Sequence, residues 1–183
     1  MTDKTDNPNQ INAPSNQNQE TNPVFNLLRI YLKDLSLEQP NAPEIFPELA
    51  KLEEEPKTEV NIGIDHRQLN DICYECLVKI TITTKIKEKT LYLIEGHQAG
   101  IFEIRNQNAQ EIDKQLGVSA ARIVYTHLHA NITDCITRSG MPPVYLAIID
   151  FDHLYENRKQ EALSKFSNQS NTNNLANDGS KLN

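Results

Sequence analysis

Thiols and imidazoles are the side chains of this 183-residue sequence that would first suggest chemistry. Cys73 and Cys76 form a Cys-x-x-Cys pair, the spacing that zinc sites and thiol redox motifs use. They lie in "DICYECLVKITITTKI", residues 71–86, whose alternation reads as a strand. Residues three apart on a strand are about 10 Å from one another and point to opposite faces. Zinc needs each sulfur about 2.3 Å from one ion, and a disulfide needs alpha carbons within about 7 Å. Neither fits a strand, so Cys76 is expected in the core and Cys73 as an exposed bystander. A second set, His127, His129 and Cys135, falls on a predicted helix, where positions two apart diverge by about 200° and cannot share an ion. His66, His97 and His153 stand without a triad pattern, and neither Gly-rich phosphate-binding motif occurs. The run Glu53, Glu54, Glu55 reads as a solvated loop. No catalytic residue, metal ligand or cofactor is therefore expected.

The elements that must position whatever remains can be read from hydropathy. Net charge is -7, which argues against a nucleic-acid or anionic-membrane surface and fits a basic partner. Three cysteines, no basic start leading into an apolar run and no stretch long enough to span a bilayer predict reduced thiols in the cytosol. Residues 1–23 are Asn, Gln, Pro, Thr and Asp with Ile11 as the one aliphatic side chain beyond Ala and Met, too little to repay ordering. Residues 167–183 share that composition. Two disordered tails are thus expected around a single folded domain over 24–166.

Four strands are predicted before any long helix, the pattern of a sheet laid down first and covered afterwards. The first, 24–38, has apolar residues on both parities from Leu27 to Leu32, so both of its faces are expected to be covered. In the second, Val60, Ile62 and Ile64 alternate with Glu59, Asn61, Gly63 and Asp65. The third sets Tyr74, Cys76, Val78, Ile80 and Ile82 inward against Glu75, Lys79, Thr81 and Thr83. The fourth carries Tyr92, Ile94, Phe102 and Ile104 on one face, and "KEK" between the last two is short enough for an antiparallel hairpin.

After Asn106 the period becomes 3.6. A short helix is expected to close at Gly117, with Ser119 capping a longer one whose stripe is Val124, Leu128, Ile132, Cys135 and Ile136. Gly140, Pro142 and Pro143 end it; "VYLAIID" is extended, and a last helix bears Leu154, Leu163 and Phe166. The segment 39–57 is long for a loop and carries Ile45, Phe46, Leu49 and Leu52, which either pack on the sheet edge or line a groove. Leu77 and Leu93 break the polar parity of their strands and would suggest a contact surface if paired.

"IYLKDLSLEQPNAPEIF", 30–46, with "YECLVKITITT", "LYLIEGHQAGIF" and the segment from Ala121 to Tyr155, resembles the bacterial protein-export chaperone family SecB over nearly all of the predicted core. The family's Cys-Pro and Phe-Pro-Tyr-Ala-Arg features are replaced by "VSAARIVYTHLH", and its Leu-Ala-Pro by "LAIIDF". The resemblance implies an α+β fold, a four-stranded antiparallel sheet with helices packed on one face, assembled as a dimer of dimers. It implies an ATP-independent cytosolic holdase that keeps preproteins unfolded and delivers them to SecA, the translocase motor. Carried over residue by residue, the SecA-binding positions are Asp34, Glu38, Leu93 and Glu95, and the positions that influence assembly are Ile94, Gly96 and Gln98. Client binding is assigned to Phe46, Leu49 and Leu52 with Val124 and Leu128 of the helix stripe, the five being expected to be partly core. Two other readings remain at this point: a SecB-like chaperone devoted to one partner such as an antitoxin, and a small-ligand-binding or enzymatic α+β domain.

Overall fold

The computed structural model describes residues 22–51, 55–142, 144 and 146–177, with 165–177 as backbone only. Residues 1–21 and 178–183 of the expected tails, and Leu52, Glu53 and Glu54, lie outside the described residues. Strands β1 (Val24–Glu38), β2 (Lys57–Gln68), β3 (Cys73–Ile86) and β4 (Lys89–Arg105) form one antiparallel sheet in the order β1-β4-β3-β2. A one-turn helix α1 (Ile45–Leu49) lies between β1 and β2. Helices α2 (Ala109–Lys114), α3 (Ala121–Arg138) and α4 (Phe151–Asn177) follow the sheet.

The alternation of β3 and β4 produces the core. Cys76, Val78, Ile80, Ile82, Tyr92, Ile94, Phe102 and Ile104 all face the helices and are at most 2 % exposed. Two residues, Lys87 and Glu88, link these strands, with Lys87 in the left-handed region at φ 53°. From the helix side, Val124, Leu128, Ile132 and Ile136 of α3 close the layer at 0 % exposure, as the 3.6 period predicts, while Cys135 is half-buried. Each such side chain is worth about 1.5–3 kcal/mol on full burial, which explains why a short polar chain can hold this layer.

β1 departs from expectation. Leu27, Leu28 and Leu32 are 41 %, 54 % and 44 % exposed, because the strand is outermost in the sheet and shifts register between Leu27 and Arg29 and again between Leu32 and Asp34. Neither face of β1 is sealed in the single chain. The segment after β1 does pack: Ile45 is 1 % exposed, Asn41 Nδ2 donates to the Thr90 carbonyl at 2.9 Å, and Gln39 Nε2 donates to the Ser139 carbonyl at 3.2 Å.

The helix boundary expected at Gly117 and Ser119 is absent. Asn108 caps α2 through a reciprocal pair in which its Oδ1 accepts from the Glu111 amide and its amide donates to the Glu111 carboxylate, both at 2.9 Å. The helix then widens into a π turn over Gln115–Ala120 and runs straight into α3. Gly117 is buried there with no room for a side chain, since a Cβ would stand 2.7 Å from Cδ2 of Tyr155. Its glycine serves packing rather than termination. Residues 144 and 146–150 form an irregular connection without strand pairing, held where Tyr125 donates to the Ala147 carbonyl at 3.0 Å. Helix α4 continues beyond the expected boundary at Phe166 to Asn177, so its backbone enters the segment read as a polar tail.

The contact between Gly117 and Tyr155 yields a stability prediction. Gly117→Ala forces the Tyr155 ring off the π turn and costs about 1–3 kcal/mol, read as a lower urea midpoint; an unchanged midpoint would show that the ring is free to move.

Candidate functional site

The thiol and imidazole sets separate as geometry requires. Cys76 is buried on the helix side, where its Sγ donates to the Leu116 carbonyl at 3.5 Å; Cys73 is half-buried on the other face, and both thiols are free. Burial, with Asp65 and Glu75 nearby, pushes the Cys76 thiol up to about 12, which leaves it protonated and unreactive. Among the described residues no group of three His, Cys, Asp or Glu side chains converges as metal ligands. His66 is less solitary than its sequence context suggests, since Nε2 lies 3.3 Å from Asp113 Oδ1. Asp113 Oδ2 in turn accepts from the Tyr155 hydroxyl at 2.7 Å, and that bond pushes the phenol up to about 12. With Arg158 donating to the Ile64 carbonyl at 2.7 Å, these contacts tie the start of α4 to β2 and α2. They orient a helix and activate no nucleophile.

The face of the sheet turned away from the helices gathers all four expected SecA positions. Directly paired residues of antiparallel strands share a face. Asp34 opposes His97, Ser36 opposes Glu95 and Glu38 opposes Leu93, so Asp34, Glu38, Leu93 and Glu95 form one patch across β1 and β4. Asp34, Glu38 and Glu95 are exposed and Leu93 is half-buried. Thr81 donates to Glu95 at 3.2 Å, and no cation pairs with the three carboxylates among the described residues. The patch is acidic, with Leu93 at its Glu38 end.

Beside it lies a cluster that the sequence reading did not single out. Glu75 also points to this face, yet is only 3 % exposed, because side chains from β1 and β2 fold over it. Its carboxylate accepts from the Tyr31 hydroxyl, from Lys33 Nζ at 3.1 Å and from Arg67 Nε at 2.6 Å. Burial alone would push Glu75 up, but the three donors outweigh it and hold the carboxyl below its ordinary 4.5. Accepting that phenol pushes Tyr31 up in the same bond. The signal present in the sequence was a carboxylate on the outward parity with Lys and Arg elsewhere on outward positions; which cations reach it depends on register.

The apolar assignments divide. Phe46 is 37 % exposed near the end of α3, and Leu49 is half-buried against the core. Leu52 lies outside the described residues. Val124 and Leu128 are core, at 0 % exposure beneath the sheet, in keeping with the expectation that the helix stripe is partly core. Ile94, Gly96 and Gln98 likewise face α3 rather than an open surface. A Cβ on Gly96 would meet Leu128 Cδ1 at 2.8 Å, and Gln98 Oε1 accepts from Asn131 Nδ2 at 2.8 Å. The helix side does leave apolar groups uncovered at both flanks of the sheet, Leu27 and Leu32 on β1 and Val60 on β2, the last 43 % exposed. Ile148, in the connection to α4, is wholly exposed.

Comparisons with known proteins converge on the same identification. A family model described as preprotein translocase subunit SecB matches residues 18–162. The protein-export protein SecB of Cupriavidus pinatubonensis is 45% identical over 150 residues, covering 82% of this chain and 85% of that protein. That of Burkholderia mallei is 48% identical over 142 residues, covering 78% and 87%. Among solved structures, a SecB-like chaperone of Mycobacterium tuberculosis, determined with a ChAD peptide from an antitoxin, aligns with a TM-score of 0.57 at 12% identity, covering 69% of this chain and 91% of that one. At that identity the likeness is one of fold.

The depressed carboxyl of Glu75 makes a pH prediction with a definite sign. Its interactions stabilise the fold above the ordinary value of 4.5 and are lost as pH falls through the lower folded value. Glu75→Gln, which leaves Lys33 and Arg67 without their anion, is expected to cost about 1–3 kcal/mol at pH 7. It should also flatten the fall in urea midpoint below pH 4.5. Parallel pH profiles for the two proteins would remove Glu75 from the acid response.

Proposed function

We propose, since this chain belongs to the SecB family and is a protein-export chaperone rather than an enzyme, that it holds unfolded preproteins by apolar surface on its helix side and presents them to SecA with its opposite face. The observation that carries this reading is the separation of the two chemistries by one sheet. Uncovered Leu27, Leu32 and Val60 flank the helix layer, with Phe46 beyond its end, whereas Asp34, Glu38 and Glu95 share the far side with Leu93. An unfolded chain offers apolar side chains and unpaired backbone, so a holdase needs surfaces for these and no reacting group. A basic partner segment is drawn to the acidic patch and finds an apolar seat at one end of it.

The distribution of apolar surface also supports self-assembly as a dimer of dimers. β1 ends the sheet on an unpaired edge and exposes Leu27, Leu28 and Leu32 beside it, a combination that a second copy would cover. Ile94, Gly96 and Gln98 would then act on assembly by setting the height and angle of α3. Action in the cytosol is part of the same proposal; no helix of the described residues is long and apolar enough to cross a membrane. A chaperone devoted to one partner would share these surfaces, and proteins that co-purify from cells would number one rather than many.

Stoichiometric protein is expected to suppress aggregation of a denatured preprotein without ATP, and Asp34→Lys or Glu95→Lys to weaken SecA binding about fivefold or more at low salt while leaving suppression intact. Absent suppression would refute the holdase reading, and unchanged SecA affinity in both variants would remove the acidic dock. Sedimentation equilibrium should return the mass of a tetramer, with a monomer at micromolar concentration contradicting the assembly.

A further inference from the structure

We propose that the outer face of the sheet carries a second station beside the acidic patch, a cationic pocket around Glu75 that takes a carboxylate from the same docking segment and so fixes the direction in which that segment lies. The proposal rests on the reading of the acidic patch as a dock. Strand register supplies the geometry. Arg29, Ile101, Glu75 and Arg67 form one row across β1, β4, β3 and β2 on the outer face, and Tyr31, Ala99, Leu77 and Asp65 form the next. The row through Ser36, Glu95 and Thr81 lies at the other end of the same face. Six residues of β4 separate Glu95 from Ile101, which at strand rise is about 20 Å.

The charges at this end do not cancel. Lys33 and Arg67 share the single carboxylate of Glu75, and each spends one donor on it. Both therefore keep N–H groups for a second acceptor. Of the other carboxylates nearby, Asp65 is taken by Lys79 at 2.7 Å and Glu103, one row beyond Ile101, by Arg105 at 3.0 Å. Arg29 is exposed and has no ion-pair partner among the described residues. A pocket of about 210 Å³ opens here, lined by Lys33, Asp65, His66, Arg67, Glu75 and Leu77. Its two carboxylates, Glu75 and Asp65, are already paired, and with Arg29 and Lys79 on the same face the cations are in excess, which suits an Asp or Glu side chain better than a Lys or Arg. Glu75 pins Lys33 and Arg67 in place beforehand, so a second carboxylate meets donors that are already oriented.

One face thus presents negative charge at one end and positive charge at the other. An extended segment with basic residues near the acidic patch and acidic residues about 20 Å further along matches both ends, and reversed end for end it meets like charge at each. Charge complementarity selects a bipolar peptide over a uniformly basic one.

The test uses three labelled peptides of equal length in fluorescence anisotropy with the full chain at low ionic strength. The first carries a Lys block and a Glu block about six residues apart, the second has the same composition with the charges alternating, and the third carries the Lys block alone. The bipolar peptide is expected to bind roughly two- to fivefold more tightly than either of the others. Arg29→Glu should remove that advantage and leave the Lys-only peptide no weaker. Equal binding of the bipolar and alternating peptides, or an advantage that survives Arg29→Glu, overturns the cationic station while leaving the acidic dock standing. Failure of the Lys-only peptide to bind, or binding indifferent to Asp34→Lys, overturns the dock and this inference with it.

Discussion

Everything in this molecule depends on how closely α3 approaches the middle of the sheet. Gly96 and Gly100 of β4 permit it: a Cβ at Gly96 would stand 2.8 Å from Leu128 Cδ1, and one at Gly100 would stand 2.7 Å from Phe102 Cε2 and 3.0 Å from Val124 Cγ2. Without side chains there, the helix sinks onto β3 and β4, and Val124, Leu128, Ile132 and Ile136 interlock with Ile80, Ile82 and Ile94 at complete or nearly complete burial. One helix can cover only so wide a strip. The two outermost strands therefore keep exposed apolar groups on their helix side, the part of a core that a single chain does not close.

The opposite face obeys different physics. It carries no helix, so its side chains are chosen by charge and by hydrogen bonding between strands. Glu75 is the exception that organises it, a buried carboxylate tying β1, β2 and β3 together through Tyr31, Lys33 and Arg67. The bonds from Tyr31 and Lys33 cross β4 without involving it, and the one from Arg67 joins neighbouring strands. The acidic patch and the cationic end thus lie on one sheet face, and their charge pattern is set by the register of the strands.

The π turn over Gln115–Ala120 links these layers to the last helix. Gly117 admits the Tyr155 ring, Asp113 receives its hydroxyl, and His66 of β2 contacts the same Asp113. These contacts fall in the first turns of α4, along with buried Phe151 and the bond from Arg158 to the Ile64 carbonyl. Beyond them the described side chains from Lys159 to Ser164 are exposed, Leu163 at 62 %.

By itself the sequence determined the strands, their hairpin, the core parity and the irrelevance of the Cys-x-x-Cys spacing, because a period of two or of 3.6 residues is a local property that each segment carries alone. Its motif string likewise led to the SecB family. Tertiary structure alone decided which residues of a face are covered and which charges meet. The stripe residues Val124 and Leu128 became core and Leu27 and Leu32 remained open because exposure depends on where the helix lies across the sheet, not on residue type. Gly117 looked like a helix stop and proved to be a seat for Tyr155, a contact between positions far apart in the chain. Glu75 acquired Lys33 and Arg67 only through the register of β1 and β2 against the strands between them, and long-range register is written in no single stretch of sequence.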